Sequence, residues 1–96
     1  MSATPTLDIR HDAAASRFEA AVDGGIAECV YRMGPGLMNI VHTEVPPQAE
    51  GRGIAAALVR AALAHARAMG WRVRASCSYV RSYMRRHPET HDLLER

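Results

Sequence analysis

The sequence predicts an α+β fold, a mixed and mostly antiparallel sheet with helices packed on it. Three observations predict it. Up to residue 45 the chain alternates apolar and polar residues between glycine-containing turns, the pattern of half-buried strands. At Ile54 the period becomes helical and stays so to Met69. A second alternating run, residues 71–77, follows that helix. Strand, helix and strand in succession make a right-handed crossover, so residues 37–45 and 71–77 are expected to pair in parallel.

In order along the chain, residues 1–5 are expected to be a frayed end, and residues 7–11 a first strand. Residues 17–22 alternate better, with Phe18, Ala20 and Val22 on one face. Asp23-Gly24-Gly25 is a hairpin turn, because glycine reaches positive φ without strain. Residues 26–33 return, with Ala27, Cys29, Tyr31 and Met33 on one face; Cys29 and Met33 read as core. After Gly34-Pro35-Gly36, residues 37–45 place Met38, Ile40, His42 and Glu44 on one face and Asn39, Val41 and Thr43 on the other. Pro46-Pro47 ends that strand, since proline has no N–H for the ladder. In the long helix, Ala55, Leu58, Val59, Ala62, Leu63, Ala66 and Met69 form the apolar stripe, and Gly70 is the stop. Residues 79–86 make a short helix with Val80, Tyr83 and Met84 inward. Pro88 opens a last helical turn reaching Leu93 and Leu94.

Composition narrows the classes. Hydrophobic residues are 48% and charged residues 23% of 96, so a globular chain is expected, with one domain over residues 1–96. A formal net charge of +2 is too mild to argue for nucleic acid, which would also need exposed aromatics on a basic face. The two cysteines, Cys29 and Cys77, have no zinc-like spacing and no disulfide framework, and no metal site is expected. No apolar run approaches the roughly 20 residues of a membrane span, and the N-terminus lacks a secretory pattern. A cytoplasmic protein without membrane or nucleic-acid partners is expected, a monomer or weak homodimer.

The stretch with chemistry is Gln48-Ala49-Glu50-Gly51-Arg52-Gly53-Ile54. A strand leads into it and a helix leaves it. Free N–H groups of a first helical turn, with the positive end of the helix dipole behind them, bind anions, above all phosphates. Arg52 is placed to add a cation. The plainer alternative is a tight turn into the helix and nothing more.

Gln48-x-x-Gly51-x-Gly53 fits the pyrophosphate-loop pattern of the GNAT-type N-acetyltransferases. The chain resembles in particular their small, single-domain group. The resemblance is carried by His42-Thr43-Glu44-Val45, Gly51-Arg52-Gly53-Ile54, Cys77 and Arg86-His87-Pro88-Glu89, and it covers residues 7–94. It implies a GNAT-like sheet whose strands 37–45 and 71–77 splay apart, with acetyl-CoA or CoA as cofactor. It further implies cofactor contacts from Val45, Gln48, Ala49, Glu50, Gly51, Arg52, Gly53, Ile54 and Tyr83. The N-terminal helices of larger relatives are absent, which leaves the acceptor unassigned among a protein lysine, an N-terminal amine, a polyamine and a small metabolite.

Two chemistries follow from that resemblance. In direct transfer, His42 or Glu44 takes the proton of an amine attacking the thioester. In a covalent route, Cys77 accepts the acetyl group first, its thiolate favoured by the following helix N-terminus. Each residue also has a plainer role: Cys77 a small buried residue, His42 a satisfied core histidine, Glu44 a solvated carboxylate, Tyr83 a packing residue. Arg81, Arg85 and Arg86, with His87, are either phosphate contacts or a solvated basic end. The expected activity is a slow acetyl-CoA-dependent N-acetyltransferase. The rival class is a non-catalytic CoA- or acyl-CoA-binding or protein-interaction module on the same scaffold.

Overall fold

The computed structural model describes residues 7–95, so the expected frayed end lies outside the described residues. The alternating segments build one five-stranded sheet in sequential order. Its strands are β1 (Arg10–Asp12), β2 (Arg17–Val22), β3 (Gly25–Gly34), β4 (Leu37–Glu44) and β5 (Arg72–Ala75). β1 to β4 are antiparallel neighbours, while β4 and β5 run parallel from Leu37↔Arg72 to Ile40↔Ala75. The parallel pair is the one the crossover argument requires. Two helices, α1 (Ile54–Met69) and α2 (Ser78–Arg86), complete the layers, with 3-10 turns at Pro47–Ala49 and Pro88–Leu93.

The core lies between α1 and one face of the sheet. Phe18, Ala20, Ala27, Cys29, Tyr31, Met38, Ile40 and Val73 meet Leu58, Val59, Ala62, Leu63 and Ala66 of α1. From α2, Val80, Tyr83 and Met84 join them, as expected. Ile54 is buried at the head of α1, whereas Met69 is 53% exposed and falls outside the stripe. Met33, expected in the core, is likewise 42% exposed near the end of β3, which corrects that expectation. α1 ends at Gly70, whose φ of +73° lets Trp71 N–H return to the Ala66 carbonyl at 2.9 Å. The chain end covers the outer edge of β5: Leu94 bridges to Val73, and Glu95 N–H donates to the Val73 carbonyl at 2.9 Å.

One feature of β4 contradicts the simple alternation. Val30 pairs with His42 and Tyr31 with Ile40, so Val41 is an extra residue in the ladder, a β-bulge. An inserted residue turns every later side chain to the opposite face. Thr43, not His42, therefore comes to the core side, opposite Cys29. His42 and Glu44 go to the other face, beside Glu28. The expectation that Met38, Ile40, His42 and Glu44 share one face is corrected accordingly.

Pairing with β5 stops at the same place. Ser76 and Cys77 both aim their N–H at the Ile40 carbonyl, at 3.1 and 3.0 Å. β5 is thus shorter than residues 71–77, and Cys77 becomes the residue that opens α2.

Candidate functional site

The site begins in the loop after β4. Gly51 and Gly53 hold φ of +81° and +76°, left-handed values that side-chain-bearing residues resist. A Cβ on either would meet nothing within 4 Å, so backbone conformation, not crowding, requires glycine here. Gly53 caps α1, with the first helical bond running from Ala57 N–H to its carbonyl at 3.1 Å. Among the described residues no side chain caps this end, and no acidic residue stands in its first turn. The leading N–H groups of α1 are therefore available to an anion, with the dipole in favour.

These groups border a pocket of about 380 Å³. Val45, Ala49, Glu50, Gly51, Gly53 and Ile54 line it, six of the residues expected to meet the cofactor. Its far wall is Thr43 on β4 and Tyr79 on α2. The free N–H groups, the left-handed glycines and a pocket running on toward β4 suit a ligand with a phosphate head and a thin tail.

Three expected cofactor residues sit elsewhere. Gln48 turns its side chain to the β2–β3 hairpin, and Arg52 pairs with Asp23 there at 2.7 Å. Tyr83 lies one helical turn beyond Tyr79, buried, and its ring stacks on His87 at 4.1 Å. It lines a separate cavity of about 250 Å³ with Arg60 and Leu63. Sequence reasoning missed Tyr79 as a pocket residue. Its one signal was the i, i+4 relation to Tyr83, which puts both on one helix face.

Cys77 stands where the strands part. It is half-buried, and its Sγ lies 3.5 Å from Thr43 Oγ1. Thr43 thus joins the pocket to the thiol, a second residue that the sequence reading passed over. Cys29, the neighbour of Thr43 across the ladder, is fully buried. Burial pushes its thiol up to about 12, and a hydrogen bond with Thr43 offsets only part of that. Cys29 is inert at neutral pH.

His42 and Glu44 form a pair on the other face, Nε2 to Oε1 3.0 Å, with side chains 52% and 65% exposed. The structure brings these two together, but His42 shares no hydrogen bond with Cys77 among the described residues. With Glu28 they place three nitrogen and oxygen ligand atoms within 4.8 Å of one another, a grouping that strand pairing creates and sequence spacing does not announce.

A five-stranded sheet opened at a bulge, with a glycine-capped helix facing the gap, has the GNAT-like architecture that the loop pattern implied. The family model for GCN5-related N-acetyl-transferases matches residues 17–93, and the chain belongs to that family. Among curated relatives, Protein NATD1 of Gallus gallus is 29% identical over 85 residues, 85% of this chain and 77% of that protein. Protein NATD1 of Mus musculus is 30% identical with the same coverage. The solution structure of a GCN5-like candidate N-acetyltransferase from Staphylococcus aureus superposes with a TM-score of 0.74 at 27% identity. That match covers 93% of this chain and 88% of the other. Among the described residues no helix is long and apolar enough to cross a membrane.

Proposed function

We propose that the protein transfers an acetyl group from acetyl-CoA to an amine, using Cys77 as the relay. The observation that carries the reading is the continuity of the pocket. One end offers the N–H groups of residues 51–54, those of Ala49 and Glu50 being bonded to Pro46 and Pro47, and the other ends at Thr43, 3.5 Å from the Cys77 thiol. The N–H groups hold the pyrophosphate, and Val45, Thr43 and Tyr79 guide the thioester arm inward. Family membership supports this choice of ligand.

In the first step Cys77 Sγ adds to the thioester carbonyl. An S–C bond forms as the bond to the CoA sulfur breaks, and the thiol proton passes to the leaving thiolate. The Thr43 hydroxyl, 3.5 Å away, faces the sulfur as its charge develops, and Cys77 directly precedes the first turn of α2. In the second step a neutral amine attacks the acetyl-Cys77 carbonyl, and Cys77 regains a proton from the amine.

A second reading keeps the same cofactor and omits the relay. It rests on the His42–Glu44 pair, which stands on the exposed sheet face with Glu44 able to orient the imidazole. There His42 takes the amine proton during direct attack on the thioester.

Intact-mass measurement separates the two. Incubation with acetyl-CoA and no amine should add one acetyl group, which Cys77→Ala removes and Cys29→Ala retains. An unlabelled wild type whose turnover survives Cys77→Ala but not His42→Ala selects direct attack. Tight CoA binding with no transfer to any amine would reject both and leave a binding module.

A further inference from the structure

The glycine loop is held from the side by the β2–β3 hairpin, and the contact engages its one cation. Arg52 Nη1 donates to Asp23 Oδ2 at 2.7 Å, and Nη2 donates to the Gln48 carbonyl at 3.1 Å. Gly24, the next residue of the turn, has φ +89°, and a Cβ on it would stand 2.4 Å from Gln48 Oε1. A Cβ on Gly25 would lie 3.7 Å from Pro46. Three successive turn residues are thus seated against the loop from Pro46 to Arg52.

Within this contact the carboxylate has an opposing effect. It takes the Nη1 donor of Arg52, one of the N–H groups that an anion meeting this guanidinium would use. The pair is exposed, with side chains 54% and 69% accessible, so water and salt weaken it. A phosphate brings more charge and more acceptor oxygens to a guanidinium than a carboxylate does. Both differences favour the phosphate in an exchange.

We propose that Asp23 is a built-in competitor for Arg52, so that binding of the CoA pyrophosphate exchanges a carboxylate for a phosphate on that side chain. The inference rests on the CoA reading above. Asp23 is then a positioning residue that sets cofactor affinity from a hairpin outside the pocket. Gly24 keeps the hairpin close enough for the exchange.

Calorimetric titration of CoA into wild type, Asp23→Asn, Arg52→Ala and the double variant tests this. Asn keeps the size of the side chain and removes its charge. Asp23→Asn should bind CoA about two- to fivefold more tightly at low salt, the usual worth of an exposed charge pair. Most of that gain should disappear in high salt and in the Arg52→Ala background. A merely bracing contact predicts the opposite sign, because its loss would loosen the loop. Weaker or unchanged binding by Asp23→Asn, or an undiminished gain without Arg52, overturns the proposal. Inorganic pyrophosphate, titrated in parallel and followed by NMR, keeps the two inferences apart. Tighter pyrophosphate binding by Asp23→Asn with no CoA binding by any variant upholds the exchange and rejects the CoA reading. Failure of Asp23→Asn to bind either anion rejects both.

Discussion

The two halves of β4 have nearly the same kind of sequence and opposite fates. Leu37–Ile40 is paired with β3 on one side and β5 on the other, and Met38 and Ile40 are fully buried. Beyond it His42 to Glu44 pair with β3 alone, and none of them is fully buried. One extra residue, Val41, separates the halves. A strand with two neighbours is structure; the same strand with one neighbour leaves a gap that a ligand can enter. The bulge converts one into the other and exchanges the residues that face the gap.

The comparison is broken most forcefully from its buried half. Ile40→Ala should cost about 2–5 kcal/mol of stability, the usual range for truncating a buried Ile. Thermal or urea unfolding checks it. A loss below 1 kcal/mol, on the order of an exposed site, would mean that this half is not the keystone it appears in the packing.

Next in size is the loop that faces the second half. Gly53→Val should cost about 1–2 kcal/mol, because a left-handed conformation strains any residue with a Cβ. Saturating CoA should raise the wild-type melting temperature by mass action, and Gly53→Val should abolish that rise. Retention of the full CoA shift in a folded Gly53→Val protein would show that the loop is only a turn.

Thr43→Val sharpens the contrast within the second half. It keeps the shape and deletes the hydroxyl near Cys77, so the stability change should stay within about 1.5 kcal/mol, the net worth of a hydrogen bond. Acetylation of Cys77, followed by mass, should slow clearly. An unchanged labelling rate would make Thr43 a wall of the pocket and nothing more.

The smallest effect is in the pH dependence of the buried half's surroundings. His11 is exposed as a residue, yet its ring stacks on Phe18 at 4.1 Å and lies 4.5 Å from the His65 ring. Its Nε2 is 2.6 Å from the hydroxyl of Tyr31, the ladder partner of Ile40. Partial burial and the His65 charge lower its pKa from the ordinary 6.5, against a raising influence of Asp12. The unfolded chain then takes up a proton that the folded one refuses. Stability should be flat above about pH 6.5 on this account and fall as pH drops below it. His11→Phe should flatten that slope, read by unfolding at pH 7.5 and pH 5.5; an unchanged slope would assign it to other groups.

Much of this architecture was legible in the residues, for local reasons. Alternation in β2 and β3, the apolar stripe of α1 and the glycines at 51, 53 and 70 act within a few residues of themselves. Their meaning does not depend on what packs against them. Strand, helix and strand in order demanded a parallel pair, and chain handedness left one way to make it. The glycine loop was readable for the same reason, since positive φ is a requirement of single residues.

What only the tertiary structure decided is everything that depends on register. Val41 carries no mark of a bulge, because an extra residue exists only relative to the strand opposite. From that one displacement follow the move of His42 and Glu44 to the open face and the arrival of Thr43 beside Cys77. The meeting of Arg52 with Asp23, 29 positions apart in the chain, is likewise set by how the hairpin folds back over the loop. The sequence by itself determined the elements and the left-handed glycine loop, because those are properties of short stretches. Which side chains converge on that loop and on the Cys77 thiol was decided by strand register and hairpin docking, because contacts between distant residues arise only when the sheet closes.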